Sequence, residues 1–177
     1  MIMRKNITTS NLPNKGNTCA IVTIYLPETD ILHHIDKIKR QVHHIVVVNN
    51  RCKQDTLNLL TRMLSDSSSH NIITNPSNMG LAHALNQGIE IASHSNMEWA
   101  LLLDQDTSVD DNIIMEISKI ISTMSIVPAI LGTNYRNIHD DSIAFHCKQS
   151  KNIYQNKATV ITSGSLLNLA LARLYRP

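Results

Sequence analysis

Residues 100–108, ALLLDQDTS, place two carboxylates, Asp104 and Asp106, one residue apart at the end of an apolar run. Alternate residues of an extended chain share a face, so these two acids point one way and Gln105 the other. Like charges that close repel, and call either for a counter-charge or for full solvation at a loop tip. Carboxylate oxygens suit a hard divalent cation that keeps waters and takes substrate phosphates as further ligands. Asp104 and Asp106 are thus candidate ligands for Mg2+ bridging the protein to a diphosphate. The plainer alternative is a solvated turn, with Thr107 and Ser108 as ordinary turn or N-cap residues.

A second group lies in NPSNMGLAHALNQGIEIA, residues 75–92. Asn75 and Asn78 follow an apolar stretch, and Gly80 opens a helical pattern. Glycine permits a positive-φ turn or the close approach of a ligand, and a helix N-terminus offers free N–H groups to anions. His83 and Asn86, three residues apart, share a face. His83 reads as a surface residue, whereas Asn86 sits among Ala84, Leu85 and Ile89, where an amide needs a partner.

The elements that must position these residues alternate. Apolar runs at 19–26, 44–50, 71–75 and 98–103 read as strands. Helical periodicity covers 28–41, 54–65, 80–93 and 110–123, with Thr29 or Asp30 as the first cap. This order predicts βαβ units and a parallel sheet covered on both faces. Ligands of such sheets bind beyond the carboxyl ends of the strands, here YLPE, NNRC, NPSN and DQDT. After residue 125 the pattern changes, and 126–135, 142–147 and 158–165 read as strands with loops between them.

The 177 residues suffice for one domain with a real core, and 42% apolar against 17% charged residues excludes disorder. A net charge of +2, one Trp and one Phe give no case for nucleic acid. Three scattered cysteines, Cys19, Cys52 and Cys147, form no C-x-x-C and suit a reducing compartment. Residues 1–17 are polar, carry no apolar signal core and are expected as a flexible tail, with residues 18–177 as the domain. No run reaches the length of a membrane helix, so a cytoplasmic location is expected. The paired histidines His33–His34 and His43–His44 read as solvated or half-buried. Neither a G-x-G-x-x-G nor a P-loop motif is present, and Ser163-Gly164-Ser165 lacks the G-x-S-x-G pattern of a hydrolase.

Together these blocks resemble the family 2 glycosyltransferases, most closely their rhamnosyltransferase branch. CAIVTIYLPETDIL looks like the V-T-Y-N-P strand, IVVVNNRC like V-D-N-x-S, and NPSNMGLAHALNQGIEIA like the N-x-G-x-A-x-A-x-N-x-G helix. EWALLLDQDTS closely matches W-v-l-x-x-D-Q-D-S, and ILGTNY and VITSGSLL resemble later blocks. The resemblance implies a GT-A fold, Mg2+ or Mn2+, and a nucleotide-sugar donor, dTDP-L-rhamnose first. It implies transfer to a saccharide or lipid-linked saccharide acceptor in cell-surface polysaccharide (O-antigen) synthesis, at the inner face of the membrane with peripheral association. It places donor diphosphate and metal on Asp104 and Asp106. It lines the base pocket with Tyr25, Pro27 and Asn49, and extends the donor site to Asn78, Gly80 and Asn86.

Three departures stand out: Leu26 replaces the usual Asn, Asn49 replaces the usual Asp, and the acidic acceptor-side segment that follows S-G-S in the family is not found. The final LLNLALARLYRP has no Asp, Glu or His to act as general base. The chain therefore reads as truncated at its C-terminus, with a sticky end prone to self-association. Asp140 and Asp141 read as a solvated loop, so no catalytic base is identified. A catalytically incomplete, donor-binding remnant is the alternative to an active enzyme. A haloacid-dehalogenase-like phosphatase, whose first strand ends D-x-D-x-[TV], is a further one.

Overall fold

The computed structural model describes residues 11–28, 30–137, 140–143 and 154–173. Four βα units come first: β1 (Thr18–Ile24), α1 (Ile31–Lys39), β2 (His44–Asn49), α2 (Gln54–Leu64), β3 (Asn71–Thr74), α3 (Leu81–His94), β4 (Trp99–Asp104) and α4 (Ile113–Ser122). β5 (Ile130–Leu131), β6 (Ser165–Asn168) and α5 (Leu169–Ala172) follow. The sheet runs β3-β2-β1-β4-β6-β5, parallel from β3 to β4 and antiparallel at β6 and β5.

Period-2 alternation divides the strands between two cores. Ala20, Val22 and Ile24 of β1 face one way, against Ile31, Ile35 and Ile38 of α1, Leu60 of α2, and Ile114, Ile117 and Ile121 of α4. Cys19 and Ile21 face the other way, against Ala84 and Ala92 of α3. Every residue of β1 and β2 is buried, which is why their sequences run apolar without alternation. On α3 the inward positions are Ala84, Gly88 and Ala92, small residues that let the helix lie close on the sheet.

The C-terminal part departs from the expected strands. Residues 126–135 contain only the two-residue β5, and 158–163 form no strand; pairing begins at Ser165. Of 142–147, Ile143 makes one isolated bridge to Arg136, and 144–147 lie outside the described residues. β-branched runs such as ATVIT favour extended backbone, but only a ladder partner makes a strand, and here β4 offers its edge to 165–168. The stretch expected to form a sticky end is partly interior: Leu166 is buried in β6, between β4 and β5, and Leu169 of α5 is buried in the core shared with Ala84 and Ala92 of α3.

Nor does the loose tail expected over 1–17 include residues 11–17. The Trp99 indole N–H donates to the Asn11 carbonyl (3.1 Å), Leu12 packs on the core and Pro13 is buried. Asp30 occupies the α1 N-cap without a side-chain cap bond, and Thr29 lies outside the described residues. Among the described residues no helix is long and apolar enough to cross a membrane.

Candidate donor site at the strand ends

Parallel register gathers the carboxyl ends of the first four strands. Ile24 is level with Asn49, Asn49 with Thr74, and Thr23 with Asp104. The sequence motifs meet at this rim because each follows a strand directly.

Asp104 is half-buried and Asp106 exposed. Burial pushes the Asp104 carboxyl above its usual range, Asp106 pushes it the same way, and a hydrogen bond from Ser163 opposes both. The Asp104 N–H donates to Ser163 Oγ (2.9 Å), and the Thr107 and Ser163 hydroxyls pair at 2.6 Å. β4 ends at Asp104 and residues 105–106 form a turn, closed by the Thr107 N–H on the Asp104 carbonyl (3.2 Å). The strand alternation expected to put Asp104 and Asp106 on one face therefore stops short of Asp106. Gln105 straps this turn. Its Oε1 accepts the Tyr25 N–H (2.7 Å), and its carbonyl lies 3.0 Å from His34 Nδ1. His34 is thus half-buried against the D-x-D loop, while its neighbour His33 is exposed.

On the other side of the rim, Asn49 is buried and its Oδ1 accepts the Arg51 N–H (3.0 Å). Tyr25 and Leu26 are exposed and Pro27 is half-buried. Leu26 has φ +45°, a left-handed conformation that leucine disfavours, and its N–H donates to the Arg51 carbonyl (2.6 Å). Asn tolerates that conformation, which gives a physical reason for the Asn that the family pattern carries there.

A chain of carboxamides supports the 75–80 loop. Asn75 Nδ2 donates to Asn50 Oδ1 (2.8 Å), and Asn50 Nδ2 to the Gly80 carbonyl (3.3 Å). Asn75 and Gln87 exchange two bonds of 2.9 Å each. Asn78 Oδ1 caps the Gly80 N–H (3.0 Å), and Gly80, at φ +84°, turns the chain into α3. The structure therefore brings Tyr25, Pro27, Asn49, Asn78, Gly80, Asp104 and Asp106 to one rim. Asn86 is exposed on α3, as is His83; the amide that turns inward is Gln87, beside the buried Ala84 and Gly88. Sequence reasoning missed Gln87, Ser163, Gln105 and His34. For Gln87 the signal was present, since it falls on the stripe of small residues.

The donor set fits a divalent ion of the expected kind. Among the described residues no three His, Cys, Asp or Glu side chains converge on a metal position. An ion here would draw on two carboxylates and on diphosphate and water, the pattern typical of Mg2+. Asp140 and Asp141 are exposed, as expected. Ser142 hydrogen bonds hold the Asp140 carboxyl below its usual range, and Asp141 pairs with Arg136 Nη1 at 2.9 Å.

Fold and site together define an α/β domain with a carboxylate pair at the carboxyl rim of a mainly parallel sheet. The chain belongs to glycosyl transferase family 2, whose model matches residues 19–169. It is similar to S. aureus TarS 1–349 in complex with UDP, with 14% identity and a TM-score of 0.69 over 89% of this chain and 48% of that one. A second structure of S. aureus TarS 1–349 gives a TM-score of 0.63 at 14% identity and the same coverage, 89% and 48%. These likenesses show the GT-A fold. The chain spans about half the length of these structures. No curated protein matches it. The phosphatase reading falls, because the D-x-D ends the fourth strand and lies inside the family match.

Proposed function

We propose that this rim binds a nucleoside diphosphate sugar with a divalent cation, and that the domain is the donor side of a glycosyltransferase. The observation that carries the reading is the Asp104–Asp106 pair, held at the end of β4 by Ser163 and Gln105. Asp104 and Asp106 hold the cation, Mg2+ or Mn2+, against the diphosphate. The bound cation supplies positive charge to the departing nucleotide diphosphate. Tyr25, Pro27 and Asn49 line the base pocket. Asn78 and Gly80 set the loop that leads into the N-terminus of α3, where free N–H groups favour a phosphate, and Asn86 extends the donor surface outward along α3. The block-wise sequence resemblance favours dTDP-L-rhamnose as donor and a saccharide or lipid-linked saccharide as acceptor, at the inner membrane face.

A second reading is donor binding without transfer. It is favoured by Asp140 and Asp141, both exposed and engaged by Ser142 and Arg136. Calorimetry with dTDP and UDP, with and without Mn2+, tests donor binding. Metal-dependent binding lost in Asp106→Ala is the expected result, and binding indifferent to chelator and to that substitution refutes the site. Turnover of dTDP-rhamnose with a saccharide acceptor separates the two readings.

A further inference from the structure

The S-G-S turn, which matched no hydrolase pattern, lies against the D-x-D loop. Gly164 has φ +80°, and a Cβ there would lie 2.5 Å from Thr133 Oγ1, so this position takes glycine on two counts. The Gly164 N–H donates to the Leu102 carbonyl (2.8 Å), and Thr133 Oγ1 donates to the Gly164 carbonyl (3.0 Å). These bonds lock the turn onto β4 and onto the loop after β5. Ser163 is thereby delivered to Asp104 from 59 residues away in sequence. A serine hydroxyl has one proton and two lone pairs. The Asp104 N–H takes one lone pair, and the Thr107 hydroxyl pairs with the same oxygen in either sense, so Ser163 Oγ holds both ends of the 104–107 turn.

We propose that Ser163 is a positioning residue of the cation site, pinning the 104–107 turn and so fixing where the Asp104 and Asp106 carboxylates would hold an ion beside a nucleotide diphosphate. The proposal rests on the donor-site reading above. It adds that the site is built by two distant segments, 104–107 and 162–164, so the antiparallel end of the sheet serves the ligand and not only the fold. Hydrogen-bond partners of metal-binding carboxylates set ligand orientation, and their loss weakens metal binding by roughly 10–100-fold.

The test is calorimetric titration of Mn2+ into the full chain with dTDP present, and of dTDP alone in chelator, for wild type, Ser163→Ala, Ser163→Thr and Thr107→Val. Ser163→Ala should weaken Mn2+ by roughly 10–100-fold and leave metal-free dTDP binding unchanged. Ser163→Thr, which keeps the hydroxyl, should restore the affinity. Thr107→Val, which removes one of the two Ser163 bonds to the 104–107 turn and leaves the Asp104 N–H bond in place, should weaken Mn2+ measurably but less than Ser163→Ala. It also supplies the comparison with wild type should Ser163→Ala not fold. Wild-type Mn2+ affinity in Ser163→Ala, or in Thr107→Val where only that variant folds, overturns the proposal. So does equal loss of metal-free and metal-dependent binding. Absence of metal-dependent dTDP binding in the wild type instead overturns the donor-site reading and takes this inference with it.

Discussion

Gly88→Ala should destabilise the protein even though alanine is the better helix former. A Cβ on Gly88 would lie 2.3 Å from Ile21 Cγ2, with Ile21 Cβ and Cδ1 at 3.4 Å. Carbon–carbon contacts settle near ~3.5–4.0 Å, so the shortfall is more than about 1 Å. Ile21 cannot retreat: it is fully buried on β1, which is flanked by β2 and β4. The helix must lift instead. Replacing a helical Gly by Ala gains ~0.5–1 kcal/mol, while overpacking of this kind costs ~1–3 kcal/mol. The middles of the two ranges leave a net loss of about 1 kcal/mol, or roughly 2–4 °C in Tm for a domain of this size. Urea denaturation monitored by circular dichroism measures it. Ile21→Ala alone should cost ~2–5 kcal/mol through its cavity. The double variant should lose less than the sum, because the new methyl enters that cavity. A Gly88→Ala protein as stable as wild type, or strict additivity in the cycle, would refute the close packing of α3 on β1.

Two further outcomes are expected. Leu26→Asn should raise stability by about 0.5–1 kcal/mol, because Leu26 holds φ +45° while its side chain is largely exposed; an unchanged or lower melting temperature would show that the turn is not strained. Stability should also fall as pH drops below about 6.5, the ordinary histidine value. Burial, the main cause for both, holds His44 and His70 below that value, His44 pairing through Nε2 with Asn71 and His70 accepting the Ile45 N–H through Nδ1. Below that pH the unfolded chain binds protons that the folded one refuses, so stability is present above the unfolded pKa and is lost as pH falls, by up to ~1.4 kcal/mol per pH unit for each group. Denaturation midpoints between pH 5 and 7.5 check this, and His70→Asn should flatten the slope.

Much of this protein is legible in its sequence because the signals are local. The four βα units show as apolar runs and helical periods, and each observed boundary falls within a few residues of its pattern. The D-x-D is readable for the same reason as a carboxylate pair at a strand end, although a turn at 105–106 replaces the strand alternation that the sequence suggested. Tertiary structure decided what lies between distant segments. No pattern in TSGS says that its first serine reaches Asp104, since that depends on β6 pairing antiparallel with β4 and on the Gly164 turn. His44 is another case. The pair His43–His44 read as solvated or half-buried, yet His44 begins β2, is fully covered there, and reaches Asn71 of β3. Likewise the composition of LLNLALA showed only that it is apolar. Burial of Leu166 and Leu169 required the open edge of β4, which no local pattern reveals, because a strand is completed by its neighbour's hydrogen bonds and not by its own residues.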